Sequence, residues 1–329
     1  MIIHPLATEN PMTDLAATPD RLPSPDLIEV EQEAVEIAAQ ARSANTIRAY
    51  KADWVHFAYW CNVNTLQALP ALPRTIALYV TAHKDQYSMA TLNRRLSSIA
   101  AAHRMADHPF DTRCREIALV MDGLRRTKTV RQRQVTALTT PLLKRALDNT
   151  SETVADQRDR ALILVGMAGA LRRSELVALE ISDLTFSPEG MRLVIKRSKG
   201  DQFGEGQAIA IGRTNTNLCP VANLEAYLER AGISEGRVFR AIDRHDNFGA
   251  RMTDQSVALI VKKWTSRAGL DGDYSGHSLR AGFATQAAKS GVEERKIAST
   301  TRHRNMDVLR RYIREGELFA NAVTTDLGL

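Results

Sequence analysis

The sequence lacks long apolar runs, an export signal and any cysteine pattern. No stretch approaches the roughly 18–20 consecutive apolar residues that a membrane span needs, so we expect no membrane association. The N-terminus has no basic segment leading into an apolar run, which argues against a secretory signal. Cys61, Cys114 and Cys219 are far apart and odd in number, so they fit neither a zinc site nor a disulfide framework. We therefore expect a cytoplasmic protein in a reducing environment, without a metal centre.

Acidic residues are concentrated at the N-terminus, which leaves the rest of the chain strongly basic. Residues 1–36 contain eight acidic residues and one basic residue, a net charge of −7. Because the whole chain carries +6, residues 37–329 carry +13. Such a charge suggests a polyanionic partner, although a soluble protein with a positive surface is the alternative.

The first third of the chain is predicted to be a tail followed by a helical domain. Residues 1–25 hold five prolines among small polar residues and are expected to form a disordered acidic tail. Residues 26–124 contain two stretches with apolar side chains at steps of three and four, as on one face of a helix. The first stretch is Ile47, Tyr50, Trp54, Phe57 and Cys61, and the second is Leu92, Leu96, Ile99 and His103.

Basic residues outside these stripes are candidates for contact with a polyanion. Arg94 and Arg95 fall off the second stripe, and the helix expected after Thr253 is a further candidate. Residues 125–138 show no apolar period and are predicted to be an extended linker that lies along phosphates, a solvated connector being the alternative. Five of its residues carry positive charge, with no acid between them: Arg125, Arg126, Lys128, Arg131 and Arg133.

Residues 139–329 are predicted to form a second domain, so that the whole chain is mainly α with a small antiparallel β-sheet in the C-terminal domain. The segments "DLTF", "MRLVIKR" and "QAIAIG" alternate in polarity or contain β-branched residues, which indicates strands. Helices are expected at 140–149, 154–170, 173–181, 276–290, 292–300 and 305–315.

Six polar residues in separate stretches of this second domain form one candidate constellation. They are Arg172 in "GALRRSELVAL", Lys199 in "KRSKGDQ", His277 and Arg280 in "GHSLRAG", His303 in "TTRHRN" and Tyr312 in "VLRRYIR". Arginines, histidines and a lysine can surround a phosphodiester, and a tyrosine can attack it. Breakage and rejoining of DNA is the reaction that this set predicts.

A tyrosine needs help to act as a nucleophile, because its pKa is about 10. Arg172 and Arg280 could stabilise the phenolate and the charge that develops at phosphorus, since a guanidinium stays charged and grips two oxygens. His277 could accept or relay the tyrosine proton. His303 could donate to a non-bridging oxygen, Lys199 could protonate the leaving 5′-oxygen, and Glu175 could orient a basic neighbour.

Each of these residues has an ordinary structural explanation when it is taken alone. Tyr312 stands among apolar residues and could be a core tyrosine, and His277 could be a helix cap or a core histidine. Lys199 could be solvated, with Lys196 as a rival for its role. Arg172 and Arg173 could be a surface pair. The order and spacing of the whole set favour the chemical interpretation.

On these residues the chain resembles the tyrosine recombinases of the phage-integrase family, especially the Cre-like, site-specific members. The family pattern is an Arg in a Gly-Leu-Arg-x-Ser-Glu-Leu-like helix start, a hairpin Lys, His-x-x-Arg, and a His or Trp nine residues before the Tyr. The resemblance covers about 43–320, since "SANTIRAYKADWVHFAYWC" is similar to the family's core-binding, SAM-like domain. Two departures are Arg302, where the family usually has Gly, and Val308 and Leu309, where Thr is common.

The resemblance implies a two-domain, C-shaped clamp around duplex DNA. Tyr312 would form a 3′-phosphotyrosyl link and release a 5′-hydroxyl, without metal, ATP or another cofactor. Four protomers would act on two duplexes with inverted-repeat sites through a Holliday junction, in the nucleoid of the cytoplasm, with accessory DNA-binding proteins as further candidate partners. A helix at about 316–327 would dock on a neighbouring protomer. A type IB topoisomerase and a catalytically silent DNA-binding regulator are the alternatives.

Overall fold

The computed structural model describes residues 44–128, 135–148, 150–196, 206–249, 251–303 and 306–317, together with Leu327. The chain divides into two units, Met1–Arg133 and Gln134–Leu329. The predicted tail at 1–25 lies outside the described residues, as do Lys199, Arg131 and Arg133. So does most of the helix predicted at about 316–327. Among the described residues, no helix combines the length and the apolar content that crossing a membrane requires.

The described part of the first unit consists of helices. These are α1 (Ala44–Val63), α2 (Pro73–Ala82), α3 (Met89–Met105) and α4 (Arg115–Thr127). The N-terminus of α2 carries Pro73, which lacks the N–H that a first helical turn leaves unpaired. At the start of α3, the Ser88 hydroxyl accepts the Thr91 N–H at 3.2 Å, so Ser88 caps the helix.

Both predicted apolar stripes contribute to the core of this unit. Trp54, Phe57 and Cys61 of α1 are buried in one cluster with the apolar residues of the α3 stripe. Tyr50 is half-buried outside this cluster, and Ile47 is 49% exposed. It lies in the first turn of α1, one turn before Tyr50, whose carbonyl accepts the Ser98 hydroxyl of α3. The helix therefore meets its neighbour only beyond Ile47.

The boundary predicted between the helical domain and the linker was wrong by three residues. Helix α4 continues to Thr127, so Arg125 and Arg126 lie in its last turn and not in an extended segment. The buried residues Ile117, Met121 and Leu124 line one face of α4. Positive side chains in the last turn suit the negative end of the helix dipole, which explains why the helix includes them.

The second unit combines helices with a small three-stranded sheet, as the predicted fold class required. Its helices are α5 (Thr140–Leu147), α6 (Val154–Ala168), α7 (Arg173–Ala178), α8 (Pro220–Ala231), α9 (Asp254–Arg267), α10 (Gly276–Lys289), α11 (Glu294–Thr301) and α12 (Met306–Glu317). Its strands are β1 (Leu184–Ser187), β2 (Gly190–Ile195) and β3 (Gln207–Gly212).

The sheet is an antiparallel meander in the order β1–β2–β3. Leu193 of β2 pairs with Leu184 of β1 on one side and with Ile209 of β3 on the other. Helix α6 is buried along most of its length and packs against α8 and α10. The predicted helix at 173–181 ends earlier, at Ala178, and a 3-10 turn at Ile181–Asp183 leads into β1.

Helix α10 is held in place by a close approach of the chain at Gly282. The Leu138 N–H donates to the Ser278 carbonyl at 3.0 Å, which brings residues 135–139 against the helix. A Cβ atom at Gly282 would overlap the Leu138 carbonyl oxygen. Only glycine allows this contact, and α10 carries His277 and Arg280 one turn earlier.

Gly282→Ala should therefore destabilise the second unit by about 1–3 kcal/mol, because the backbone at Leu138 must move to admit the methyl group. Gly123→Ala is the matched control, since Gly123 lies in α4 and a methyl group there would enter open space. That change should stabilise the first unit by about 0.5–1 kcal/mol. Urea unfolding of the full chain measures both. Equal stabilities for wild type and Gly282→Ala would contradict this account of α10.

Candidate active site

The second unit brings five of the six predicted polar residues together. Arg172 is the N-cap of α7, and His277 and Arg280 lie in the first turns of α10. His303 follows α11 directly, and Tyr312 lies in the middle of α12. Lys199, the sixth, lies outside the described residues. Helices α10 and α12 pack on each other, which places the segment of His277 and Arg280 beside that of Tyr312.

Glu175 binds Arg172 at the start of α7. One carboxylate oxygen accepts the Arg172 Nη1–H at 2.6 Å, and the other accepts the Arg172 backbone N–H at 2.8 Å. The Glu175 side chain is 2% exposed, whereas that of Arg172 is 25% exposed. The buried carboxylate thus binds the guanidinium from the protein interior and leaves part of the guanidinium open to solvent.

Arg280 lies deeper than Arg172. It is almost completely buried, and its Nη1 donates to the Ala170 carbonyl at 2.8 Å. Ala170 has a φ of 45°, in the left-handed region, which turns the chain just before Arg172. Burial, with Arg172 and Arg302 nearby, lowers the pKa of Arg280 to about 9, so its guanidinium is still charged at neutral pH. Arg280 therefore contributes positive charge to the site from a more deeply buried position than Arg172.

The Tyr312 hydroxyl lies 3.3 Å from Nε2 of His277 in the same subunit. Loss of contact with water lowers the pKa of His277, and the charges of Arg280, Arg173 and Arg172 lower it further. His277 is therefore a neutral imidazole at neutral pH, although part of it remains exposed. A neutral ring nitrogen at this distance can accept the phenol proton.

The Tyr312 ring belongs to an apolar cluster as well as to the polar site. It is 8% exposed and shares the cluster with Ala281 and Ala284 of α10 and with Leu309 of α12. Tyr312 is therefore both a core tyrosine and a neighbour of His277. Packing fixes the ring, and only the hydroxyl reaches the polar groups.

His303 lies on the other side of Tyr312, with 6.4 Å between the ring centroids. Its Nδ1 is 2.8 Å from the Thr301 hydroxyl, which itself donates to the Ile297 carbonyl at 2.7 Å. Because a hydroxyl has one hydrogen, Thr301 must accept the Nδ1–H, so Nε2 of neutral His303 carries a lone pair. Burial, then the charges of Arg280 and Arg172, lower the pKa of His303 to about 4.

Lys196, the rival of Lys199, is occupied by acidic partners. Its Nζ lies 2.6 Å from Asp183 and 3.4 Å from Glu180. The hydrogen bond to Asp183 raises the pKa of Lys196. A lysine that acts as a general acid benefits from a lowered pKa, so these contacts disfavour Lys196 for that role.

The structure corrects the prediction that Arg95 faces a polyanion. Arg95 is 7% exposed, donates to the Tyr79 hydroxyl and stacks over the Tyr87 ring at 4.1 Å. The two tyrosines, together with the Asp53 carboxylate 3.7 Å from its Nε, replace water around its charge, which is how an arginine off the apolar stripe can be buried. Arg94 is half exposed, with its guanidinium in a two-point contact with Asp53 at 2.8 and 3.0 Å.

The predicted linker residues within the described part differ in their contacts. Arg125 Nη1 lies 2.5 Å from Asp122, and Lys128 Nζ donates to the Tyr87 carbonyl at 2.5 Å. Arg126 is exposed in the last turn of α4.

Two residues in contact with the constellation were not predicted. Thr301 sets the tautomer of His303, and Arg302 binds Glu175 at 2.8 Å. Arg302 has a φ of 54°, in the left-handed region that glycine occupies at low cost. The replacement of the family's usual Gly was the available signal for Arg302, whereas nothing in the spacing distinguished Thr301 from its neighbours.

Comparison with known proteins identifies the family of the chain. The model of the phage integrase family matches residues 128–317, and the model of the phage integrase N-terminal SAM-like domain matches residues 37–108. An integrase/recombinase XerD homolog of Selenomonas ruminantium is 38% identical over 289 residues, covering 85% of this chain and 84% of the relative. Tyrosine recombinase XerD of Listeria innocua is 25% identical over 287 residues, covering 84% and 90%.

Solved structures share the fold at low sequence identity. The XerH site-specific recombinase bound to a palindromic difH substrate, in a post-cleavage complex, has a TM-score of 0.62 at 15% identity and covers 91% of this chain and 85% of its own. A lambda integrase dimer bound to a COC′ core site has a TM-score of 0.55 at 14% identity, covering 89% and 82%. With the two family models spanning both units, the chain belongs to the phage integrase family of tyrosine recombinases.

Proposed function

We propose that this protein is a site-specific DNA recombinase that cleaves and rejoins duplex DNA through a 3′-phosphotyrosyl intermediate and a Holliday junction. The observation that carries the proposal is the Tyr312 hydroxyl 3.3 Å from a neutral His277, in a pocket with Arg172 and Arg280. Membership of the tyrosine recombinase family supports it.

In the proposed reaction, His277 accepts the phenol proton as the Tyr312 oxygen bonds to phosphorus. The bond from phosphorus to the 5′-oxygen breaks, and Lys199 gives that oxygen a proton. Arg172 offers its exposed guanidinium to a non-bridging oxygen, and Arg280 adds positive charge beneath it. A 5′-hydroxyl of a partner strand reverses these steps and releases Tyr312. Because one phosphoester replaces another, no ATP is consumed.

His303 needs an extra proton for its proposed part. Its Nε2 holds a lone pair in the free protein and so cannot donate to a phosphate oxygen. The negative charge of an entering phosphate offsets the surrounding arginines and raises the pKa of the ring. His303 then takes up a proton at Nε2 and donates it in a hydrogen bond to a non-bridging oxygen. DNA binding would therefore be coupled to proton uptake.

The proposed partners are duplex DNA with inverted-repeat sites and further copies of this chain. The structural neighbours include a recombinase on a palindromic substrate and an integrase dimer on a core site, which supports paired protomers on one duplex. Exchange between two duplexes then requires four protomers. The C-shaped clamp, the docking helix at about 316–327, the accessory proteins and the location in the nucleoid are further parts of this proposal.

Tyr312→Phe should abolish the covalent adduct and leave DNA affinity within about threefold of wild type, because only a nearly buried hydroxyl is removed. The substrate is a nicked duplex that wild-type protein selects from a random-sequence pool by SDS-resistant capture. Gel mobility in SDS measures the adduct. Tyr227→Phe, at a buried tyrosine of the same unit, is the control and should keep full activity. An adduct in Tyr312→Phe would show that another group attacks.

Lys199→Ala should slow cleavage of the ordinary substrate, and sulfur in place of the 5′-bridging oxygen should restore the rate. Because a thiol has a pKa of about 8.5, its thiolate can leave without a proton, whereas an alkoxide needs one. Lys196→Gln should cleave both substrates at nearly the wild-type rate, because the ammonium of Lys196 is already bound to Asp183 in the wild-type protein. If Lys196→Gln were the slow variant and sulfur restored its rate, while Lys199→Ala behaved like wild type, Lys196 and not Lys199 would be the general acid.

Replacing the five basic residues of 125–133 with Gln should flatten the dependence of log affinity on log salt by about one unit for each lost phosphate contact. Arg126→Gln should change the slope more than Arg125→Gln, because Arg125 already has Asp122 as a partner. Arg213→Gln, at a surface pair with Glu225, is the control. A slope that stays the same after all five changes would place this segment away from DNA.

A further inference from the structure

We infer that Arg302 is a positioning residue, which fixes the Glu175 carboxylate and through it the Arg172 guanidinium. The inference rests on the proposed cleavage by Tyr312, and it assigns a use to the residue at which this chain departs from the usual family pattern. Three features of the molecule support it: the contacts of Arg302, the hydrogen-bond donors that Glu175 receives, and the backbone conformation at the end of α11.

The contacts of Arg302 all point into the protein. Its Nη2 donates to Glu175 at 2.8 Å and to the Ala170 carbonyl at 3.2 Å. Its Nη1 donates to the carbonyls of Thr300 and Gly169, at 2.8 and 3.2 Å. The side chain is 5% exposed, so it has no surface to offer to DNA. Arg302 therefore ties the end of α11 to the turn before Arg172.

Glu175 is the shared partner of two guanidinium groups. Arg172 Nη1 binds Oε1 at 2.6 Å, whereas Oε2 receives both the Arg172 backbone N–H and Arg302 Nη2, each at 2.8 Å. With three donors the carboxylate has one orientation, and Oε1 is directed at Arg172. Without Arg302, Oε2 would keep one donor, and the carboxylate could rotate and take Arg172 with it.

Arg302 also shares a hydrogen-bond acceptor with Arg280. The Ala170 carbonyl accepts both Arg302 Nη2, at 3.2 Å, and Arg280 Nη1, at 2.8 Å. Arg302 therefore fixes the carbonyl on which Arg280 rests. A single buried side chain contacts the supports of both arginines that are proposed to act on the phosphate.

The backbone indicates that these contacts matter. Arg302 has a φ of 54°, which costs a residue with a Cβ about 1–2 kcal/mol relative to ordinary helical backbone, and glycine much less. An arginine at this position must offset that cost through its side chain. The bonds to Glu175 and the three carbonyls are the compensation that the structure provides.

Three variants separate positioning from folding. Arg302→Met removes the charge and keeps the length, Arg302→Lys keeps the charge without the planar fork, and Arg302→Gly removes the backbone strain together with the side chain. Arg213→Met, which breaks a surface pair with Glu225, is the matched control. The substrate is the nicked duplex selected by wild-type protein. Single-turnover adduct formation at saturating protein, DNA affinity and thermal unfolding are measured for each.

We expect Arg302→Met and Arg302→Gly to slow adduct formation at least tenfold, with DNA affinity within threefold, and Arg302→Lys to recover part of the rate. Both variants should keep a cooperative thermal transition above the assay temperature, with Arg302→Gly at least as stable as Arg302→Met, which excludes loss of folding as the cause. In a Glu175→Gln background, Arg302→Met should reduce the rate less than twofold further, because the carboxylate that transmits its effect is absent.

Three results would overturn the inference in different ways. If wild-type protein forms an adduct and Arg302→Met and Arg302→Gly form it equally fast, Arg302 does not position the site, and the proposed function stands. If the effects of Arg302→Met and Glu175→Gln multiply, Arg302 acts by another route. If wild-type protein forms no adduct on any duplex of the pool, the proposed function fails, and the inference fails with it.

Discussion

The Glu175 carboxylate lies between the guanidinium groups of Arg172 and Arg302, and Arg280 is one carbonyl away. Three buried or half-buried positive charges would repel one another without this anion. With it they remain close, and the cluster still carries more positive than negative charge. Burial lowers the pKa values of His277 and His303, and the excess of positive charge lowers them further. The same excess makes the pocket suited to a group that brings negative charge of its own.

The second constraint is steric and concerns helix α10. Gly282 admits the backbone at Leu138, and the small residues Ala281 and Ala284 admit the Tyr312 ring. Small side chains on one helix thereby let two other parts of the chain approach it closely. The result is that α10 presents His277 to the Tyr312 hydroxyl while the tyrosine ring stays packed. The polar chemistry of the site thus depends on an apolar contact directly beside it.

The first unit shows how weakly a charge pattern determines what a side chain contacts. Arg94 and Arg95 are neighbours in sequence and equally basic. Arg94 is half exposed in a two-point contact with Asp53, whereas Arg95, 3.7 Å from the same carboxylate, is enclosed by Tyr79 and Tyr87. Tyr79 comes from α2, across the helix packing, and Tyr87 lies two residues before α3. No local period could predict that they would meet it.

Local periodicity and short motifs were enough to predict the helical class, the three strands, and the candidate set Arg172, His277, Arg280, His303 and Tyr312. The family pattern also marked Arg302 as unusual. Three features appear only in the folded chain: Arg302 turns inward to Glu175, Lys196 binds Asp183, and Arg95 is buried. The physical reason is that a charged side chain takes the partner that packing brings within about 3 Å, and those partners are remote in sequence.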